Sequence, residues 1–312
     1  MEYITLPGSN LRVSRFCMGG CPMGGYGWGR VSEDELIDAI HAALDAGVNF
    51  FDTADTYGLG QSERTLAKGL GNRRGDVVIA SKFGVRVGDG KTVYDNSPMY
   101  IQTALEESLR RLRTDYIDIY TIHYRDGKTP MADVIDKLEE LRAAGKIRYF
   151  GLSNIHGADL EELLPYKGRF VCCQDEFSLA CRINEMDLRA VQERIHAAPL
   201  TWGSLGQGIL TGKYTRENLY FGEDDRRSRE IYVNFHGEKL EQNLRTVEVL
   251  RKIAANHDKS IAACAIRWIL DTLPGSVVIA GVKRPAQLMS NVEAMDWSMT
   301  PDELQKLDEV SG

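Results

Sequence analysis

The residue types that could carry out chemistry are concentrated in the segment 47–63, GVNFFDTADTYGLGQSE. A predicted apolar strand over Val48–Phe51 runs directly into Asp52, and Tyr57 follows in a loop punctuated by glycines. A strand that ends in a carboxylate fixes that group in place, and the loop beyond it can supply a reactive group. By itself the pattern is equally compatible with Asp52 as a turn or helix cap and Tyr57 as a rim aromatic.

Polar side chains also end other predicted strands. Lys82 ends the apolar run VVIASK, and His123 ends YIDIYTIH. Taken singly, the lysine is compatible with a snorkelling rim residue and the histidine with a structural one. All strand carboxyl ends share one face of a parallel barrel, so Asp52, Lys82 and His123 would converge. The remaining strand ends contribute Ser153, Asn154, Gln174, Trp202 and Ser204.

This set of residue types suits acid–base chemistry at a carbonyl group. A tyrosine with a pKa near 10 is a poor proton donor and a poor base at neutral pH. We expect the ammonium of Lys82 to lower the pKa of Tyr57, and the carboxylate of Asp52 to hold the lysine. His123 could orient or polarise a carbonyl oxygen. None of these groups can supply hydride, so the site would need a nicotinamide cofactor.

The elements that position these residues predict an α/β fold. Regular strand–helix alternation with continuous apolar strands indicates a parallel sheet covered on both faces. Eight such units predict a (β/α)8 TIM barrel forming a single domain over 1–312, preceded by a hairpin over 3–13. The eight strands are centred near Phe16, Val48, Val77, Ile117, Ile147, Val171, Leu200 and Val277. The alternative is a doubly wound sheet, which would be expected to carry a nucleotide fingerprint, but GxGxxG and GxxxxGK[ST] are absent.

Two helix starts carry capping patterns. Ser32 with Glu35 three residues later predicts a capping box, and Thr300 before Pro301 predicts the cap of the last helix.

Composition excludes several classes of function. The formal net charge of −7 gives no electrostatic footprint for nucleic acid and disfavours anionic membranes. No apolar run is long enough to span a bilayer, and MEYITLPGSN lacks the features of a signal peptide, so we expect a cytoplasmic protein. The six cysteines lie mostly in apolar runs, which favours reduced thiols. The histidines show no HExxH or HxxxH spacing, and no metal is predicted.

Two segments near the end of the chain are candidates for binding phosphate. Ser204–Tyr214 is a glycine-rich loop after the seventh strand, where barrels commonly bind phosphate. After the eighth strand, Lys283 and Arg284 precede a helix that begins at Pro285. A solvated basic pair is the alternative, but cations beside free helix N–H groups favour an anion. A ribose 2′-phosphate would suit them, which predicts NADP(H) over NAD(H).

Together these motifs resemble the aldo-keto reductase superfamily, most closely its bacterial NADPH-dependent members. The resemblance rests on DTADTYG with SE, the Lys82 and His123 strand ends, GLSN, QxExS, SLGQGILTGKY and GVKRPAQL. It spans roughly Leu6–Asn291 and implies that the hairpin closes the bottom of the barrel. It also implies that Tyr57 is the general acid in reduction and the general base in oxidation. The implied catalytic tetrad is Asp52, Tyr57, Lys82 and His123.

The resemblance further implies a cofactor site. Ser153, Asn154 and Gln174 would hold the carboxamide, and Trp202 would stack on the nicotinamide where tyrosine or phenylalanine is usual. The implied NADP(H)-binding residues are Gly20, Asp52, Ser153, Asn154, Gln174, Trp202, Ser204, Leu205, Gly208, Lys213, Gly281, Lys283, Arg284, Gln287 and Asn291. The predicted substrate contacts are Trp28, Phe83, Tyr94 and Tyr124.

The sequence therefore predicts NADPH-dependent reduction of aldehydes or ketones, with a small carbonyl compound as substrate. Three alternatives stay open: an NADP(H)-sensing regulatory subunit with little turnover, a sugar or polyol dehydrogenase, and a metal-dependent hydrolase. Clustered ligands for the last are lacking. The sequence predicts neither the natural substrate nor the oligomeric state. ENLYFG at 217–222 resembles a protease-tag site, falls in a predicted loop and is given no functional meaning.

Overall fold

The computed structural model describes residues 1–88, 91–222 and 225–312. The strands are, in chain order, β1 (Tyr3–Thr5), β2 (Arg12–Ser14), β3 (Phe16–Gly19), β4 (Phe50–Asp52), β5 (Val78–Phe83), β6 (Val85–Gly88), β7 (Lys91–Tyr94), β8 (Ile117–Ile122), β9 (Ile147–Ser153), β10 (Phe170–Glu176), β11 (Ala198–Trp202) and β12 (Val277–Gly281). The α-helices are α1 (Glu33–Asp45), α2 (Gln61–Leu70), α3 (Pro98–Leu112), α4 (Met131–Ala143), α5 (Ala158–Leu163), α6 (Glu185–Ile195), α7 (Gly237–His257), α8 (Ile261–Thr272), α9 (Pro285–Val292) and α10 (Pro301–Ser311).

Eight parallel strands close into a barrel, in the order β3-β4-β5-β8-β9-β10-β11-β12. The ring closes where β12 pairs with β3, for example Ile279 opposite Cys17. Closure confirms the predicted (β/α)8 barrel and rules out the doubly wound sheet, which would have open edges. Within the described ranges, no helix has the length and apolarity needed to cross a bilayer.

The N-terminal hairpin packs against the interior of the barrel. Strands β1 and β2 pair antiparallel, with Ile4 opposite Val13. The hairpin's Leu6, Leu11 and Val13 share one buried cluster with residues inside the barrel, such as Val277 at the start of its strand. A separate, larger cluster fills the space between the strands and the surrounding helices. The hairpin therefore seals the amino-terminal end of the barrel, as the family resemblance implied, and leaves the opposite end for a site.

A second antiparallel hairpin, β6–β7, was not foreseen from the sequence. It follows β5 on the carboxyl side of the barrel and pairs Val85 with Tyr94. Every residue of these two strands except Val85 is exposed. Neither face is buried, so the segment lacks the apolar alternation by which strands are recognised in a sequence.

The two predicted helix caps have different outcomes. Thr300 Oγ1 accepts a hydrogen bond from the Glu303 backbone (3.3 Å), and the Glu303 carboxylate accepts one from the Thr300 backbone (2.9 Å). This capping box confirms the predicted start of α10. The capping box predicted at Ser32 is wrong, because its hydroxyl makes no capping bond and only its carbonyl accepts the first helical bond, from Leu36.

Candidate active site

A cavity of about 750 Å³ opens at the carboxyl ends of the barrel strands. Most residues that the sequence singled out line it. They are Trp28, Asp52, Tyr57, Lys82, His123, Tyr124, Ser153, Asn154, Gln174, Trp202, Ser204, Leu205, Gly208, Lys213, Gly281, Lys283, Gln287 and Asn291. Their convergence follows from strand polarity, since these residues come from distant parts of the chain.

A buried ion pair lies at the floor of the cavity. The Lys82 ammonium donates to both carboxylate oxygens of Asp52, at 2.7 and 2.8 Å, and to the Thr53 carbonyl at 2.9 Å. Both side chains are almost fully buried, with exposed fractions of 2% and 4%. The Tyr57 hydroxyl lies 3.4 Å from Lys82 Nζ. The carboxylate therefore fixes the lysine, and the lysine makes a long contact with the phenol.

The expectation that Lys82 lowers the pKa of Tyr57 is wrong for this structure. Burial, and after it the negative charge of Asp52, raise the pKa of Tyr57 well above its ordinary value of 10.0. The reason is geometric: the ammonium is neutralised by two short bonds to Asp52 and reaches the phenol only at 3.4 Å. Tyr57 is therefore a protonated phenol throughout the neutral range.

His123 is also uncharged in this environment. Burial and the positive charge of Lys82 lower its pKa to about 3. Its ring meets the edge of the Tyr57 ring, with centroids 6.0 Å apart. Its Nδ1 is buried without a hydrogen-bond partner among the described residues. A neutral imidazole beside a phenol can donate one N–H to an oxygen bound in the cavity.

The three residues implied to hold a carboxamide lie together, and one of them also supports the ion pair. The Gln174 amide donates to Asp52 Oδ2 at 2.6 Å. Asn154 has a φ of 55°, and its side-chain amide donates to the His123 carbonyl (3.0 Å) and to Ser153 Oγ (3.0 Å). Left-handed backbone at a non-glycine residue occurs where surrounding contacts enforce it. The strand ends are therefore tied to one another across the site.

Sequence reasoning did not identify how the start of α2 supports the ion pair. Ser62 donates to the Gly20 carbonyl at 2.7 Å, and its Oγ lies 2.8 Å from Thr53 Oγ1. Glu63 is fully buried and accepts a bond from Ser81, the residue before the lysine, at 2.7 Å. The SE that follows DTADTYG thus braces the strands carrying both members of the pair. Its position after the motif was visible in the sequence, but its contacts were not.

A cluster of cations lies in another part of the cavity wall. Lys213, Arg227 and Lys283 all line the cavity. Burial, and then the charges of Arg227 and Lys213, lower the pKa of Lys283 to about 8. Arg227 is held by Asp225 (Nε–Oδ1, 2.7 Å) and donates to the Tyr214 hydroxyl at 2.5 Å. Mutual repulsion of this kind indicates a place for an anion.

Two of these wall residues escaped the sequence interpretation. Arg226 and Arg227 line the cavity from a short 3-10 turn in the long polar loop after the glycine-rich segment. That loop has no periodicity, so the only available indication was the adjacent pair of arginines. The Lys283 ammonium also donates to the Trp28 carbonyl at 2.5 Å, which links the first rim loop to the cation cluster.

The residues present fit a dinucleotide. The Asn291 side-chain nitrogen is buried in the cavity wall without a partner in the described part of the chain. His123 Nδ1 is a second such nitrogen on a lining residue, and Lys213 and Lys283 line the same cavity. An anion that also carries hydrogen-bonding groups, as a dinucleotide does, suits this combination of cations and unpartnered polar atoms. Among the described residues, no group of three or more His, Cys, Asp or Glu side chains could hold a metal ion.

Four predicted residues lie outside the cavity lining. Phe83 is fully buried in the core against Tyr120, with centroids 4.7 Å apart, which leaves it no access to substrate. Tyr94 is exposed on β7 and stacks on Tyr124 at 5.1 Å. The Arg284 side chain, although next to Lys283, is 60% exposed and pairs with Glu35 at 3.2 Å.

The fourth of these residues, Gly20, lies behind Asp52. A Cβ atom added to Gly20 would meet the Asp52 carbonyl at 2.8 Å and Ser62 Oγ at 2.6 Å. The lack of a side chain therefore lets the first loop approach the strand that carries the carboxylate, which explains the glycine without a cofactor contact.

Comparison with known proteins agrees with this geometry. The chain matches the model of the Aldo/keto reductase family over residues 15–311. The chain belongs to this family. It is 30% identical to aldo-keto reductase YhdN of Bacillus subtilis (strain 168), over 99% of this chain and 93% of that protein. It is 29% identical to the NADH-specific methylglyoxal reductase of Escherichia coli (strain K12), over 96% and 95%.

A solved structure is similar along the whole barrel. The glycerol dehydrogenase AKR11B4 from Gluconobacter oxydans superposes with a TM-score of 0.88 and 33% identity, covering 99% of this chain and 94% of that one. Aldo/keto reductases are oxidoreductases of carbonyl compounds that use nicotinamide cofactors. The family predicted from the sequence is therefore confirmed, and with it the general class of reaction.

The position of Gly20 gives a first prediction. We expect Gly20→Ala to displace the Asp52 backbone and to lower the free energy of unfolding by about 1–3 kcal/mol, as overpacking does. Dinucleotide affinity should weaken with it, because the floor of the cavity shifts. Urea unfolding and fluorescence titration measure the two effects.

Gly75→Ala is the matched control, since an added Cβ there meets nothing within 4 Å. Equal unfolding free energies for the two variants would show that the close approach of Gly20 to the Asp52 backbone does not contribute to stability.

Proposed function

We propose that the protein reduces aldehydes or ketones to alcohols with NADPH, and that Tyr57 donates the proton. The observation that carries the proposal is the position of the Tyr57 hydroxyl in the cavity wall, 3.4 Å from Lys82 Nζ and beside neutral His123. The family relationship supports the reaction class. The assignments of Tyr57 as proton donor and of NADPH as cofactor rest on the geometry of the cavity side chains.

Each side chain has a separable role in this proposal. A nicotinamide cofactor held in this cavity would supply the hydride that the carbonyl carbon receives. Tyr57 transfers its proton to the carbonyl oxygen, so the two electrons and two hydrogens of the alcohol are accounted for. Neutral His123 donates an N–H to the same oxygen and orients it. Lys82 then stabilises the phenolate that remains, while Asp52 prevents the lysine from moving away.

The raised pKa of Tyr57 favours the reductive direction. A proton donor must be protonated before the reaction, and burial keeps Tyr57 so at neutral pH. Oxidation needs the phenolate, which the same environment disfavours. Alcohol oxidation is nevertheless a second candidate activity, because the structurally similar protein from Gluconobacter oxydans is a glycerol dehydrogenase. We therefore expect polyol oxidation to require alkaline pH.

The preference for NADPH rests on Lys283. Its ammonium lies in the cavity wall beside Lys213 and Arg227, and their repulsion is relieved by a dianionic phosphate. Arg284 is directed to Glu35 and contributes less than the sequence suggested. The Escherichia coli relative is described as NADH-specific, so cofactor preference must be argued from this chain's own cations.

Replacement of the proton donor gives a second prediction. We expect Tyr57→Phe to lower kcat for aldehyde reduction by about 10²–10⁴-fold, the usual contribution of a general acid. The dissociation constant of NADPH should change by less than about threefold, since the hydroxyl that is lost is uncharged and makes only a long contact of 3.4 Å with Lys82 Nζ. Steady-state NADPH oxidation and fluorescence titration measure the two quantities.

Tyr232→Phe is the matched control, because its ring also lines the cavity, where it meets the edge of the Trp28 ring at 6.1 Å, away from His123. Its kcat should stay within about threefold of the native value. Undiminished turnover in Tyr57→Phe would exclude the proposed proton transfer.

The lowered pKa of Lys283 gives a third prediction. Lysine is charged below its pKa, so between pH 7 and 9 the free protein loses this cation. We expect affinity for 2′,5′-ADP to weaken about tenfold over that range, by proton linkage. Lys283→Arg should bind with little pH dependence, because arginine stays charged.

The comparison ligand is 5′-AMP, which lacks the 2′-phosphate and should show a smaller pH effect. Calorimetric titrations at matched ionic strength provide the constants. The same pH dependence in the native protein and in Lys283→Arg would rule out Lys283 as the phosphate-binding cation.

A further inference from the structure

A carboxyl group with an unusual hydrogen-bonding arrangement lies just behind Tyr57. Asp55 follows β4 in the turn that presents Tyr57, a turn closed by a bond from the Tyr57 N–H to the Ala54 carbonyl at 3.2 Å. Asp55 Oδ2 lies 3.3 Å from the Tyr100 hydroxyl on α3. Asp55 Oδ1 is buried without a partner among the described residues. Neither the ion pair nor the proton transfer uses this carboxyl.

Counting protons decides which of the two groups is the donor. The Tyr100 hydroxyl also lies 2.8 Å from the Val85 carbonyl, which can only accept. A phenol has a single proton, and the shorter bond to Val85 uses it. The 3.3 Å contact with Asp55 is then a hydrogen bond only if the carboxyl donates to the phenol oxygen. An ionised Asp55 would instead place a buried negative charge against a lone pair of the phenol oxygen.

The charged groups around Asp55 also disfavour its ionisation. Burial, and then the negative charge of Glu63 on α2, raise its pKa to about 7, and Arg111 on α3, a hydrogen bond from the Thr56 backbone and the contact with Tyr100 oppose them. The Arg111 cation is already engaged, since its Nε donates to Glu63 Oε2 at 2.5 Å. The other titratable groups that face Asp55 are Tyr100, Tyr120 on β8 and Tyr57, with Arg86 over the Tyr100 ring at 5.4 Å.

The far end of the turn is held by the same helix. Gly60 has a φ of 86°, and a Cβ added there would overlap the Arg111 side chain. Arg111 therefore crosses the backbone at Gly60 on its way to Glu63. Helix α3 thus contacts the turn at two points, Tyr100 with Asp55 and Arg111 with Gly60, and Tyr57 lies between them.

We propose that Asp55 is a positioning residue held as the neutral acid, donating its proton to Tyr100 and thereby fixing the turn that carries Tyr57. The expected effect on turnover rests on the proposed role of Tyr57 as proton donor. The protonation state of Asp55 is independent of that role, so turnover and protonation can be tested separately.

Two substitutions separate the hydrogen bond from the charge. Asp55→Asn keeps a neutral N–H donor of the same shape, whereas Asp55→Leu removes the donor. We expect kcat for aldehyde reduction to stay within about twofold in Asp55→Asn and to fall about tenfold or more in Asp55→Leu, since small displacements of a reacting group are costly. In the native protein kcat should fall as pH rises above about 7, where Asp55 ionises, and in Asp55→Asn this fall should be absent.

A readout independent of activity is the pH dependence of urea unfolding. A carboxyl whose pKa rises from 3.8 to about 7 on folding binds more protons in the folded state. Its contribution to stability is full below pH 3.8 and is lost as pH rises toward 7. The urea midpoint of Asp55→Asn minus that of the native protein should therefore increase between pH 3.8 and about 7. Above that pH the difference should stay constant. Asp45→Asn, at a side chain 79% exposed, is the control and should run parallel to the native curve.

Parallel midpoint curves for the native protein and Asp55→Asn would overturn the neutral acid. Equally slow turnover in Asp55→Asn and Asp55→Leu would overturn the positioning role. If instead Tyr57→Phe keeps its turnover while the Asp55 curves diverge as expected, the proposed function fails and the protonation of Asp55 stands.

Discussion

The buried ion pair between Asp52 and Lys82 is the constraint on which the rest of the site depends. Two charges with exposed fractions of only 2% and 4% are costly to desolvate, and loss of either partner would strand the other at a cost of about 3–5 kcal/mol. The cost is offset by bonds to both oxygens of the carboxylate, by the Thr53 carbonyl and by the Gln174 amide. The pair therefore has a single arrangement, and it fixes where the adjacent strands β4 and β5 end.

This arrangement determines how the Tyr57 phenol behaves. An ammonium bound this closely to a carboxylate exerts little net field on its next neighbour, so burial dominates and the phenol stays protonated. The lysine is the cation 3.4 Å from the phenolate that proton transfer would leave, and its partial stabilisation of that anion is outweighed by burial in the raised pKa. The turn that carries Tyr57 is held separately, by α2 and α3 from behind. The charges near the Tyr57 hydroxyl thus come from strands β4 and β5, whereas the position of the Tyr57 turn is set by helices α2 and α3.

The sequence predicted the barrel because apolar strands and amphipathic helices alternate regularly, and strand polarity then placed Lys82 and His123 on one face. It could not predict Arg227, which reaches the cavity from an aperiodic loop, or the exposed β6–β7 hairpin. Phe83 was misplaced because successive residues of a strand face opposite sides, and only the lysine before it faces the cavity. The sign of the Tyr57 pKa shift was missed because it depends on distances between three groups, which a sequence does not contain.

The central claim is that Tyr57 is a buried, protonated phenol beside a neutralised lysine. Carbon-13 NMR of protein labelled at tyrosine Cζ tests it directly, with the Tyr57 resonance assigned by its loss in Tyr57→Phe. The Tyr57 carbon should keep the chemical shift of a neutral phenol up to and beyond pH 10, the ordinary tyrosine value. Ionisation of Tyr57 with a midpoint below pH 10 would contradict the account. It would support the alternative in which Lys82 lowers the pKa of Tyr57.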